Sequence, residues 1–415
     1  MKRYETYKDS GIQWWEEIPT HWDLKKAKHI FSLVTENVSD SSLPKIALEN
    51  IESWTGKYIE TDSDFMGEGV EFKKDDILFG KLRPYLAKVY KAEFAGQAVG
   101  DIYVFRGNEE QNPEYLKYLL LSYPFISVVD GSTYGAKMPR ANWDFISHLV
   151  LPCPPKSEQV TIAAFLDHKV GQIDATIAEK EQMLKDLKNY RSAIISEAVT
   201  KGLDKNVEMK DSGIEWCGYI PIHWQVLKIG YIFQNLDYLR QPISSENRER
   251  NNPQYEYYGA SGVIDKIDSY NVNDKVLLIG EDGANLVSRT LPLIYKAEGK
   301  FWVNNHAHIL KPISSDYDYM AFLLETADYT NYITGSAQPK LSQEKLSSVK
   351  LPVPPIEEQK QIAKKLICIV PLIDRSLIEI EKIIKDLKSY KSALITEVVT
   401  GKIDLREWKS KEEND

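Results

Sequence analysis

The chain has 415 residues, 43% of them hydrophobic and 27% charged, a globular composition for two or three domains of about 100 to 200 residues each, which excludes a disordered or fibrous protein. Its 52 Lys+Arg against 61 Asp+Glu leave a net charge of −9, so bulk charge carries no nucleic-acid reading and any such reading has to rest on local features. Cys153, Cys217 and Cys368 form no CxxC pair, which argues against a zinc ribbon or a disulfide framework and fits a reducing cytoplasm. The start, MKRYETYKDSGIQ, lacks the apolar core of a signal peptide, and no apolar run reaches the roughly 18 residues that span a bilayer.

In chain order, KDSGIQWWEEIPTHW from Lys8 to Trp22 precedes a stretch over residues 30 to 130. That stretch holds short β-rich runs such as DDILFGKL and an apolar helical segment, PEYLKYLLLS, from Pro113. LPCPPKSEQVTIAAFLD from Leu151 then opens a long helix rich in Glu, Gln, Lys, Ala, Leu and Ile, which reaches KDLKNYRSAIISEAVT at Lys185. The same order recurs: KDSGIEWCGYIPIHW at Lys210, an offset of 202, and LPVPPIEEQKQIAKKLI at Leu351, an offset of 200. KDLKSYKSALITEVVT follows at Lys385. Between these blocks, residues 232 to 334 hold KVLLIG, KFWVNNHAHIL and DYMAFLLET and show no comparable identity to the first stretch. The chain is a tandem duplication in which a constant frame presents two diverged inserts.

In the two helices, Ile173, Ile177, Leu184, Leu187 and Ile194, and likewise Ile373, Leu377, Ile384, Leu387 and Leu394, lie on seams that alternate four and three apart, the spacing of a coiled coil. Each helix therefore needs a partner, and the other is the nearest. Gly171 and Pro371 disfavour helix interiors, so a kink or restart is expected there, with the regular coil over Ile173 to Val199 and Ile373 to Val399. Such a coil is about 40 Å long, slightly more than one turn of B-DNA, a length suited to a spacer. The expected fold class is α+β, with two α+β domains, two long helices and an internal pseudo-two-fold repeat. The expected divisions are 1–152, 153–204, 205–352 and 353–415.

The repeated YKDSGIQWWEEIPTHW block, the LPxPPxxEQ entry to a long helix and the YRSAIISEAVTKG exit resemble the constant regions of the specificity subunit of Type I restriction-modification systems. ILFGKLRPYLAKV and YGAKMPRANWDFI look like one type of target recognition domain, and LLIGEDGANLVSRT, FWVNNHAHIL and SAQPKLSQEKL like another. The resemblance implies two target recognition domains, each reading half of a bipartite site in double-stranded DNA, joined by antiparallel helices that help set the gap. It also implies docking of two modification subunits, which bind S-adenosylmethionine and methylate adenine at N6. A motor and nuclease restriction subunit, using ATP and Mg, can join them. On this reading the chain catalyses nothing and holds no cofactor. Neither a GxxxxGK phosphate loop followed by Ser or Thr, nor an Asn or Asp before Pro-Pro and an aromatic, occurs in it.

Several residues are candidates for DNA contact. Lys81, Arg83 and Lys88 with the aromatic Tyr85 could grip backbone and stack. Lys137 and Arg140 in GSTYGAKMPRANWDF and Lys340 in GSAQPKLSQEKL occupy corresponding places and would make equivalent phosphate contacts. GEDGAN, Gly280 to Asn285, is either a plain turn after a strand or a DNA-facing loop in which Glu281 or Asp282 accepts from cytosine N4, with Ser288 and Arg289 reaching phosphate. Asn304 and Asn305 either satisfy a turn or read adenine. His306 and His308, two apart and on one face if on a strand, suit structural hydrogen bonding, DNA contact or a metal. Two other functions stay open at this stage. One is a metal-dependent nuclease built on Glu71, Lys73 and the nearby Asp62 and Asp64; the other is a coiled-coil adaptor that binds only proteins.

Overall fold

The computed structural model describes residues 2–37, 42–61, 67, 69–133, 137–248, 253–335 and 337–409. They form two compact units: Met1–Gln182 together with Glu381–Asp415, and Met183–Ile380. Each unit holds one insert, half of one long helix and the opposite half of the other.

In the first unit, Tyr7–Asp9 and Glu17–Pro19 form an antiparallel hairpin. Its turn is closed by the Asp9 carboxylate, which accepts from the Gly11 amide at 2.8 Å, with Gly11 at φ 66°. Trp22 beyond it is wholly buried, and its Nε1 donates to Glu158 in the first turn of the long helix at 2.9 Å, beside His21 at 2.5 Å. The second unit repeats this with Gly213 on Asp211, and with Trp224 and His223 on Glu358 at 3.0 and 2.9 Å. The shared KDSG…HW and PPxxEQ blocks are thus two halves of one joint. The carboxylate also sits where a helix N-terminus favours negative charge.

Strand Asp23–Lys26 pairs with Val150–Cys153, and Gln225–Lys228 with Lys350–Val353, so each insert is clasped at its two ends. Inside the first insert, an antiparallel sheet runs in the order Phe31–Val34, Ile102–Gly107, Ile77–Gly80, Val89–Lys91. Inside the second the order is Phe233–Asn235, Ala307–Pro312, Val272–Gly280, Ile294–Val303. A further hairpin, Tyr255–Gly259 and Gly262–Ile267, extends this sheet. Despite the lost identity, the two inserts share one strand order. A helix follows each sheet: Pro113–Leu121 capped by Asn112, and Tyr317–Thr326 capped by Asp316. Both are anchored alike, with Tyr115 donating to the Pro152 carbonyl and Tyr319 to the Pro352 carbonyl.

The long helices run unbroken over Lys156–Lys201 and Ile356–Val399, which corrects the expected restart at Gly171 and Pro371. Leu366, Val370 and Ile373 are buried on one side of Pro371, whose own ring lies exposed, so packing outweighs the missing amide. Within the first unit the helices pair antiparallel: Asp174 meets Lys391 at 2.8 Å and Glu181 meets Lys388 at 3.0 Å. Here Ile173, Ile177, Ile384 and Leu394 are buried and Leu387 half-buried. Within the second unit Arg191 meets Asp374 at 2.6 Å, with Ile373 buried and Leu184, Leu187, Ile194 and Leu377 half-buried.

Candidate nucleic-acid interface

In each insert sheet the strand with the longest buried run ends in a glycine, Gly80 or Gly280, from which the chain enters a laced loop. In the first unit the Arg83 amide donates to the Pro139 carbonyl and the Ala141 amide to the Lys81 carbonyl, both at 2.8 Å, around a bridge from Leu82 to Arg140. In the second the Gly283 amide donates to Pro339 at 3.0 Å and the Leu341 amide to Glu281 at 2.8 Å, around a bridge from Asp282 to Lys340. Every partner is displaced by 200 positions. A single helical turn follows, Pro84–Leu86 or Asn285–Ser288, and each ends in a left-handed residue, Ala87 at φ 46° or Arg289 at φ 50°. GKLRPYLA and GEDGANLVSR are therefore the same structural loop carrying different chemistry.

The first loop is basic and open. Arg83 and Lys137 are exposed, and their charged groups have no partner among the described residues. The Tyr85 ring is 47% exposed, and its carbonyl accepts from Trp54 Nε1 at 3.1 Å. The Arg140 guanidinium makes two bonds of 3.0 Å to Asp101 and holds that carboxyl below its ordinary value. Lys81 lies 3.8 Å from the same carboxylate and over the Tyr103 ring. Lys88 turns inward, donating to the Leu48 and Ile51 carbonyls at 2.6 and 2.7 Å.

The second loop rests on a buried charge network. Burial pushes the Glu281 carboxyl up, but hydrogen bonds from Arg240 and Lys340 outweigh it and hold the group below its ordinary value. His308 is fully buried, with Nδ1 2.6 Å from Asp237 and Nε2 2.8 Å from the Leu341 carbonyl, so both ring nitrogens face acceptors. His306 stands outside this network in the turn before strand Ala307–Pro312, exposed, with Nδ1 2.8 Å from Asp282. The two histidines therefore do not share a strand face, contrary to their spacing. Among the described residues no three His, Cys, Asp or Glu side chains are placed to hold a metal. Glu71 lies in strand Val70–Phe72 and Lys73 just beyond it, while Asp62 and Asp64 fall outside the described residues.

Other candidates serve the loop itself. Asn304 is buried and accepts from the His306 amide, while Asn305 is exposed. Asn285 bonds Leu291 and Pro292 across the turn. Arg289 donates to the Glu325 and Ala327 carbonyls, closing the C-terminal end of helix Tyr317–Thr326. Ser288 is exposed, 3.4 Å from the Thr290 hydroxyl. Arg240, Asp237 and Asp101, which hold these loops in shape, went unseen in the sequence because no spacing marks them.

The family model for the Type I restriction modification DNA specificity domain matches residues 29–188 and again 221–386. The chain belongs to that family. Each matched stretch contains one of the laced loops and its partner strip. The putative type I restriction enzyme MjaX specificity subunit of Methanocaldococcus jannaschii is 24% identical over 442 residues, covering 96% of this chain and 98% of that protein. The EcoDI specificity subunit of Escherichia coli is 25% identical over 189 residues, 44% of this chain and 42% of that protein. A chain solved in a study of assembly and conformational transition of the type I restriction-modification system shares the fold at TM-score 0.74 and 15% identity, over 93% of this chain and 99% of that one. The HsdS subunit from Thermoanaerobacter tengcongensis does so at TM-score 0.53 and 17% identity, over 93% and 98%. Type I DNA specificity subunits of this kind recognise DNA and assemble with other subunits. Among the described residues no helix is long and apolar enough to cross a membrane.

Proposed function

We propose that this chain is the non-catalytic specificity subunit of a cytoplasmic Type I restriction-modification enzyme, reading a bipartite DNA target with one half-site per unit. The observation that carries this reading is the pair of laced loops, identical in backbone pattern at an offset of 200 and different in side chains. One frame used twice with different chemistry suits an asymmetric two-part sequence. The exposed groups at the first loop, Arg83, Tyr85 and Lys137, are cationic and aromatic; those at the second, Ser288, Asn305 and His306, are polar. Phosphate contacts position such a protein and base-edge contacts specify the sequence.

The chain holds two modification subunits, which carry S-adenosylmethionine and methylate adenine; a restriction subunit with ATP and Mg completes the cleaving form. With a net charge of −9, the isolated chain binds DNA weakly, and the partners supply much of the nonspecific affinity. The deciding experiment maps adenine methylation in DNA from cells that express this chain with its modification subunit, against cells lacking the chain. One bipartite motif that depends on the chain is expected. A soluble complex that yields no new motif would refute the reading.

A further inference from the structure

Three positions from distant parts of each insert meet where the sheet gives way to its laced loop. In the first unit the Lys81 amide donates to the Asp101 carbonyl at 2.9 Å, and the Lys81 carbonyl accepts from Ala141, next to Arg140. In the second the Glu281 amide donates to the His306 carbonyl at 2.8 Å, and the Glu281 carbonyl accepts from Leu341, next to Lys340. Strand register fixes the match, since Gly80 opposes Ile102 and Gly280 opposes Ala307. Asp101 and His306 therefore hold the same backbone place, although the 200-residue offset does not relate them.

Loop, turn and strip thus carry Lys81, Asp101 and Arg140 in one unit and Glu281, His306 and Lys340 in the other. The loop charge is reversed, yet each cluster keeps one carboxylate against the strip cation. Asp101 takes Arg140 through two bonds of 3.0 Å, and Glu281 lies 3.1 Å from Lys340. The carboxylate stands on the turn in the first unit and on the loop in the second, so inheritance of one residue does not account for the pairing. Arg140 and Lys340 are 50% and 54% exposed and open to DNA, whereas both carboxylates are largely covered. Both carboxyls are held below their ordinary values and stay ionised near neutral pH.

A free cation on a DNA-facing loop attracts any phosphate and so adds to binding on every sequence. A carboxylate beside it cancels that attraction beyond the pair, while its charge-assisted hydrogen bonds fix the direction of the donors left over. Arg140 spends Nε and Nη2 on Asp101 and keeps Nη1 without a partner among the described residues. We infer that Asp101 and Glu281 are specificity-determining residues of the two halves. Each neutralises and orients its strip cation, Arg140 or Lys340, so that the cation reads one place on its half-site instead of adding to nonspecific binding. The inference rests on the reading of the chain as the subunit that recognises a bipartite target.

The test uses the chain assembled with its modification subunit. Methylation mapping supplies the cognate duplex, a scrambled duplex serves as reference, and binding is read by fluorescence anisotropy across a salt series. Asp101→Asn, nearly isosteric, frees Arg140, so the scrambled duplex binds about fivefold tighter with a log–log salt slope steeper by about one. The cognate duplex gains nothing, because the freed side chain loses its direction, and the specificity ratio falls by the same factor. Adding Arg140→Gln to Asp101→Asn returns the scrambled duplex to the slope of the unaltered complex, and Asp101→Glu, which keeps the charge, keeps the ratio. Glu281→Gln does the same through Lys340 for the other half-site and provides an independent variant should Asp101→Asn fail to fold. A folded Asp101→Asn complex with unchanged affinity and slope on the scrambled duplex, or with equal weakening on both duplexes, would overturn the inference and leave Asp101 a brace of the loop. Absence of any motif with the unaltered chain would overturn the underlying reading instead.

Discussion

Lys391, only 7% exposed, places its ammonium 2.8 Å from Asp174 inside the helix seam, and Lys57 reaches the same carboxylate at 2.9 Å. Burial pushes the Asp174 carboxyl up, but the two lysines outweigh it and hold the group below its ordinary value. Removing Lys391 takes one charge-assisted bond from Asp174 and leaves Lys57 as its remaining counter-ion, so Lys391→Ala destabilises its unit by about 2 kcal/mol in denaturant unfolding. Because the folded value of Asp174 is depressed, its stabilising contribution is present above the unfolded carboxyl value of about 4 and is lost as pH falls through the folded one. Asp174→Asn flattens that acid loss. An unchanged acid profile would show that the pair adds nothing.

The duplication and the long helices were legible because they depend on local composition and on a 3.5-residue repeat. The common strand order of the inserts was not, since strand partners lie far apart in sequence; DILFG against VLLIG, Leu86 against Leu286 and Pro139 against Pro339 keep the 200-residue offset, too sparse a match to mark it. The expected restart at Pro371 failed because burial of Leu366 and Val370 is a tertiary effect. Arg140 and Lys340 hold equivalent bridge positions, whereas Lys88, Asn285 and Arg289 bond to carbonyls that no sequence pattern reveals.

Arg83 and Lys137 carry free charge and Lys88 does not, so the three separate under salt titration. Arg83→Gln and Lys137→Gln each weaken DNA binding by the assembled complex on every sequence, and each reduces the log–log salt slope by about one. Lys88→Met instead lowers stability and leaves the slope unchanged. A slope unaffected by both Arg83→Gln and Lys137→Gln would remove the first loop from the phosphate contacts.

His306 and Asn305 lie in the turn beside the second loop, which His306 reaches through Asp282 at 2.8 Å. Substituting His306 by Ala relaxes or changes one half of the methylated motif, with a discrimination loss of about 1–3 kcal/mol at one base pair. The other half and the gap stay as they were. Methylation mapping reads both halves at once, and a change confined to the half read by the first unit would reverse the assignment.

Gly401 ends the second long helix at φ 75°, where a Cβ would stand 2.4 Å from Pro19 Cδ and 3.1 Å from the Trp22 ring. Its counterpart Gly202, at φ 76°, meets first a carboxylate oxygen of Glu358 at 2.8 Å. Both backbones are left-handed, so alanine is strained at either place. The pyrrolidine of Pro19 sits in the first unit's hairpin and cannot swing aside, whereas a carboxylate can rotate. Gly401→Ala therefore costs more stability than Gly202→Ala, about 2–3 against about 1 kcal/mol. Thermal unfolding of the two variants ranks them, and equal losses would mean that the left-handed backbone alone, not the packing of Pro19 against Trp22, makes glycine necessary at these helix ends.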